Sequence, residues 1–208
     1  PGGRGKSTFA NLCCALIGNG NYASTTLNQL EQSRFEIASI KGKRLTLIND
    51  SERYGGSAQI FKALTGGDNL RFEEKNKNVG EPFVYTGMVM VCANEPIQTT
   101  DNTSGLTRRR LTVEFNRPLW DKNSEAVEMI KLENGQVNGL WKSYLPGLVN
   151  WVLEMDTNKM REYLLDTYEK VDHLRTVRNS ILLTSNNLVE WLQSEVVHSP
   201  ESIAAVGK

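Results

Sequence analysis

The residues with the plainest chemical capacity open the chain: Gly2, Gly3, Arg4, Gly5, Lys6, Ser7 and Thr8. Closely spaced glycines followed by Lys-Ser-Thr match the end of the phosphate-loop pattern G-x-x-x-x-G-K-[ST], whose first glycine would fall one position before Pro1. Such a loop works because successive backbone N–H groups and a helix N-terminus converge on phosphate oxygens. The glycines permit the close wrapping, Lys6 would reach the β- and γ-phosphates, and the Ser7 hydroxyl would ligate Mg²⁺. Thr8 is read as support for the start of the following helix. A flexible glycine linker is the plainer alternative, but it does not predict Gly-Lys-Ser-Thr directly before an amphipathic segment.

A nucleotide site of this kind needs an acidic group at the end of a neighbouring apolar strand. "LTLINDSE" supplies Asp50 and Glu52, one to hold Mg²⁺ and one to activate water, with Asp50 the first choice for the metal and the reverse assignment open. Asn94 ends the next apolar run, "GMVMVCAN", where an amide would orient the attacking water or simply turn the chain. "TRRRL" sets Arg108, Arg109 and Arg110 before another apolar stretch, and an arginine offered across a subunit boundary stabilises charge on a transferring phosphoryl group. Lys75 and Lys77 stand in "EEKNKN" beside Arg71 and Phe72; they suit contact with nucleic-acid phosphates or a solvated turn.

These residues need elements to hold them. "STFANLCCALIG" has apolar residues at helical spacing and stops at Gly18. "RFEIASI" reads as a short alternating strand and "GKRLTLIND" as a turn feeding a compact strand. "SAQIFKALTGGD" is a helix stopped by Gly66 and Gly67, and "LRFEEKNKNVGEPFVYT" a hairpin with an exposed tip. "GMVMVCANE" suits a strand buried on both sheet faces, and "LTVEF" a further short strand. Alternating buried strands and helices predict an α/β domain with a mainly parallel sheet. Helical periodicity dominates afterwards, so the boundary is set near Arg117, dividing residues 1–117 from a mainly helical region at 118–208.

Composition narrows the partners and the compartment. Lys+Arg and Asp+Glu both count 24, so a nucleic-acid partner would have to be met by a local patch rather than by net charge. Cys13, Cys14 and Cys92 form neither a disulfide framework nor a zinc pattern, and with two histidines a His/Cys metal site is not expected. The cysteines read as small core residues in a reducing, intracellular setting, and no membrane span is foreseen.

In this order, "PGGRGKST", "GKRLTLINDSE", "FKALTGGDNLRF", "GMVMVCANEP", "LTRRRLTVEF" and "LPGLVNWVLEM" resemble the superfamily 3 helicases, the helicase half of phage, plasmid and viral primase-helicases within the AAA+ ATPases. The resemblance covers Pro1 to about Met155. It implies an AAA+ P-loop core, ATP with Mg²⁺ as cofactors, and Asn94 as the sensor. It also implies a trans arginine finger at Arg108 or Arg109 and a DNA-gripping hairpin carrying Lys75 and Lys77. The implied partners are single-stranded or forked DNA, further copies of the chain in a ring that is usually hexameric, and a primase domain upstream. The implied setting is the cytoplasm of a host cell. In that family the first core strand precedes the phosphate loop, so it would lie before Pro1. Other expectations compatible with the residues are an AAA+ machine that remodels nucleic acid without unwinding it and a P-loop kinase acting on a small molecule.

Overall fold

Parallel strands need crossover connections, and the chain supplies them with helices. A computed structural model of the protein describes residues 3–50, 59–73, 80–94, 109–117 and 128–185, together with Trp191 and Glu195. Its first part runs α1 (Lys6–Ile17), β1 (Tyr22–Thr25), α2 (Leu27–Gln32), α3 (Arg34–Ile40), β2 (Leu45–Asp50), α4 (Gln59–Gly66), β3 (Asn69–Leu70), β4 (Phe83–Val84) and β5 (Met88–Ala93). Strands β1, β2 and β5 pair in that order, all parallel, with Thr25 opposite Ile48 and Asp50 opposite Ala93. The domain is mixed α/β with a small parallel sheet, and β3 and β4 make a separate antiparallel pair.

The central strand explains the layering. Side chains alternate along a strand, so Leu45 and Leu47 face one way and Ile48 the other. Leu45 and Leu47 pack with Ala10 and Cys14 of α1. Ile48 packs with Leu27, Leu30, Ile37 and Ile40 of α2 and α3 and with Phe61 and Leu64 of α4. Thr46 is fully buried, and its hydroxyl donates to the Tyr85 hydroxyl at 2.9 Å, which donates in turn to the Met88 carbonyl at 3.1 Å. A buried hydroxyl without such a partner would be costly, so the pair ties the loop before β5 to the middle of the sheet.

Four expectations change. Residues 34–40 form helix α3, not a strand. The alternation of Phe35 and Ile37 is overridden by Ile37 and Ile40, three apart on one helical face and buried, while Phe35 stays 54% exposed. The preceding helix also begins on a clear signal: Thr26 accepts from the Gln29 N–H at 3.2 Å in a Thr-x-x-Gln box. Strand β5 is half-buried rather than enclosed, with Met88 52% exposed, because among the described strands it pairs with β2 alone. Residues 110–116 are irregular, since a strand requires a ladder partner and none of the described strands lies beside them. Phe115 instead packs its ring against Phe9, with centroids 5.8 Å apart.

The fourth change lies in the helical region, where among the described residues a hairpin precedes the helices. Strands β6 (Lys131–Glu133) and β7 (Gln136–Asn138) pair antiparallel across Asn134-Gly135. Both turn residues have positive φ, 51° and 76°, as a type I′ turn demands, and Asn-Gly is its strongest sequence signal. Leu132 of β6 packs on the α1 side of the sheet. A 3-10 turn (Leu140–Tyr144) then leads into α5 (Leu145–Leu153), α6 (Thr157–Leu165), α7 (Thr167–Lys170) and α8 (Asp172–Ser185). The Asp156 carboxylate caps α6, accepting from the N–H groups of Asn158 and Lys159. Among the described residues no helix is long and apolar enough to cross a membrane.

Candidate functional site

Helix α1 enters the molecule through glycines that only glycine suits. Gly3 and Gly5 have φ of 72° and 86°, in the left-handed region where other residues are strained. Gly5 occupies the N-cap position, and no side chain caps the helix there. The first-turn N–H groups, which have no partner within a helix, and the positive end of the helix dipole therefore meet at this terminus. Lys6 and Ser7 form that first turn, Lys6 half-buried and Ser7 exposed, with Arg4 and Thr8 half-buried on either side.

The Lys6 ammonium donates to Asn94 Oδ1 at 3.0 Å. This contact spans 88 positions and joins two residues singled out for the same chemistry. It follows from the architecture: Asn94 comes directly after Ala93 at the carboxyl end of β5, and α1 packs along that strand. In register, Ala93 lies opposite Asp50, so the backbone of the candidate acid ends the neighbouring strand beside the Lys6–Asn94 pair.

The rest of the candidate set divides. Arg109 is bound within its own chain, donating from Nη1 to the Lys62 carbonyl at 3.1 Å. A Cβ added at Gly66 would meet that guanidinium at 3.0 Å and the Asp68 carboxylate at 3.2 Å, so Arg109 lies against the C-terminal end of α4, where orphan carbonyls accept cations well. Arg110 is anchored elsewhere, its carbonyl accepting from the Tyr168 hydroxyl at 2.7 Å. Gly2, Glu52, Lys75, Lys77, Arg108 and the side chain of Asp50 lie outside the described residues.

Two polar residues at the same sheet edge escaped the sequence reading. Asn49 Nδ2 donates to Ser24 Oγ at 3.0 Å, linking the ends of β1 and β2. Period-two alternation from Leu45 and Leu47 places Asn49 on the α1 side, and that alternation was the available signal. The cysteines also gather near the site. Cys14 is buried, and Cys13 and Cys92 pack against the same cluster. Burial pushes the Cys14 thiol up to about 11, with Cys13 and Cys92 adding to the effect. Burial likewise raises Cys92, while the positive charge of Lys6 pulls it down, which puts that ammonium within electrostatic reach of the core of the α1–β5 contact.

Comparison with known proteins adds an outline. A model of a family of unknown function, DUF5906, matches residues 1–110. The chain is 28% identical over 122 residues to an uncharacterized mitochondrial protein, ymf20, of Marchantia polymorpha, covering 59% of this chain and 71% of that protein. It is 24% identical over 139 residues to the initiator protein NS1 of Aleutian mink disease parvovirus, covering 63% of this chain and 22% of the viral protein. The chain thus spans about a fifth of the length of that initiator.

Proposed function

The chain belongs to DUF5906, a family of unknown function, and on that footing we propose that it is the ATPase part of a superfamily 3 helicase of the AAA+ class. The matched stretch, residues 1–110, contains every residue of the candidate site, and the likeness to a viral initiator protein favours a role in replication of a virus or mobile element. The observation that carries the reading is the Lys6–Asn94 hydrogen bond at the glycine-entered N-terminus of α1. A helix terminus without a side-chain cap, a lysine on its first turn and an amide at the end of the adjacent strand are the parts needed to hold a triphosphate and position water.

In this reading Gly2, Gly3, Arg4, Gly5 and Thr8 shape the loop, and Lys6 offsets the charge that develops on the γ-phosphoryl group. Ser7 and Asp50 hold Mg²⁺, Glu52 accepts a proton from the attacking water, and Asn94 orients that water. Bound there, Mg²⁺ would supply charge neutralisation for the triphosphate. Arg108 or Arg109 of a neighbouring copy completes the site in a ring, and Lys75 and Lys77 contact single-stranded DNA. Arg109 is held against α4 in its own chain, so as a finger it would first have to leave the Lys62 carbonyl.

The test is ATP hydrolysis by the full-length protein in the presence of single-stranded DNA. Lys6→Ala is expected to lower turnover about 100-fold or more, the scale of losing one electrostatic contact to the transition state. Strand displacement on a forked duplex should fail in parallel. Parental ATP turnover in a folded Lys6→Ala protein would sink the assignment. Parental hydrolysis with no strand separation in the unmodified protein would instead point to a remodelling ATPase.

A further inference from the structure

Helix α4 ends on two glycines that serve different purposes. Gly67 has a φ of 79°, and the Asp68 N–H beyond it donates to the Ala63 carbonyl at 3.2 Å, the left-handed cap that glycine enters without strain. Gly66 has no positive φ and closes the last turn, where alanine would serve the helix better. What Gly66 leaves is room. A Cβ there would meet Arg109 Nη1 at 3.0 Å, Arg109 Cζ at 3.4 Å and Asp68 Oδ2 at 3.2 Å. The same Nη1 donates to the Lys62 carbonyl one turn back, at 3.1 Å. The guanidinium thus lies across a bare glycine, beside a carboxylate and at the negative end of the helix dipole. The hold is light, because Arg109 is exposed and a charge contact at a surface helix end shifts an equilibrium only a few-fold.

We propose that the C-terminal end of α4 is a resting dock for Arg109, which withholds this arginine from a neighbouring copy until assembly draws it away. The proposal rests on the reading of the chain as a ring ATPase, in which an arginine completes the site of the next copy. One guanidinium cannot serve both places. The Lys62 carbonyl and the Asp68 carboxylate of its own chain therefore compete with the phosphate oxygens of nucleotide bound to the neighbour. The internal partner is always at hand, whereas the neighbour is met in proportion to protein concentration. A triphosphate is the stronger acceptor, so the dock wins in dilute protein and yields once copies associate around nucleotide. Gly66 makes the dock selective for Arg109, since a side chain there would occupy the ground the guanidinium crosses.

The test has two parts, both on the full-length protein. Thermal melting first asks whether the dock exists, by comparing Gly66→Ala alone and combined with Arg109→Ala. Without the arginine, Gly66→Ala should raise the melting temperature, as alanine does in a helix. With the arginine present it should raise it less or lower it, because the Cβ meets the guanidinium. An equal gain in both backgrounds rejects the dock. The second part asks what the dock does, using Asp68→Asn, which keeps the shape of the cap and removes the charge beside Arg109. Sedimentation velocity with Mg²⁺ and a non-hydrolysable ATP analogue should show self-association at about threefold lower protein concentration than the parent, the scale of a surface charge contact. ATP hydrolysis by dilute protein with single-stranded DNA should rise by the same factor and meet the parental rate at high concentration. Arg109→Ala should lower hydrolysis about 1,000-fold, and adding Asp68→Asn to it should change neither readout. Association at the parental concentration, or hydrolysis by an active parent that does not rise with Asp68→Asn, overturns the proposal. Association that shifts in a protein hydrolysing no ATP would instead retain the dock and sink the ATPase reading.

Discussion

The α/β part and the helices from Leu140 onward solve the same problem of apolar residues in opposite ways. Around β2, Leu45, Thr46 and Ile48 reach zero exposure beneath helices on both faces. In α5 and α6, by contrast, no residue is buried, although Leu145–Leu153 contains no charged side chain. Leu153 and Leu165 remain 77% and 78% exposed. Around α6 and α7 the hydrogen bonds are mostly local, the Asp156 cap and the Thr167 hydroxyl donating to the Tyr163 carbonyl, with Lys170 lying 5.7 Å from the centre of the Tyr163 ring, while the Tyr168 hydroxyl reaches the Arg110 carbonyl of the first part. The difference teaches that helical periodicity suffices to form a helix, whereas burial requires a second surface. A nine-residue helix without charge is ordinarily an enclosed one.

Substitutions can break or sharpen that contrast. Ile48→Ala should have the largest effect, about 2–5 kcal/mol of stability by urea unfolding, since it opens a cavity at a fully enclosed position. Tyr85→Phe should come next, at about 1–2 kcal/mol, because it removes both hydrogen bonds between Thr46 and the Met88 carbonyl while preserving the ring. A cost near zero would mean that packing alone, without the hydroxyl pair, holds the loop before β5. Leu165→Ala should have the smallest effect, within about 0.5 kcal/mol, as expected of an exposed site. If it instead rivals Ile48→Ala, the second region is covered in solution and the contrast between the two parts fails.

The candidate site was legible to the extent that its signals are local. Glycines before Lys-Ser-Thr announce the entry to α1, and the unbroken apolar runs announce β2 and β5. The Asn134-Gly135 turn is equally explicit, although strong helical periodicity on its C-terminal side masks the short hairpin. Helix α3 is not legible locally, because Phe35 and Ile37 alternate as strand residues do and only packing selects Ile37 with Ile40 as the buried pair. The Arg109 docking was beyond local reading, since its acceptor is a main-chain carbonyl 47 positions away.

Local chemistry therefore determined most of the helices and strands, though not α3 or residues 110–116, and which residue types stand ready for phosphate. It could do so because backbone propensity, glycine torsions and hydrophobic period act over a few residues. Only the tertiary structure decided which of those residues meet. The bonds Asn49–Ser24, Thr46–Tyr85, Tyr168–Arg110 and Lys6–Asn94 span 25, 39, 58 and 88 positions. Each exists because parallel strand order and helix packing bring together groups that no short-range preference connects.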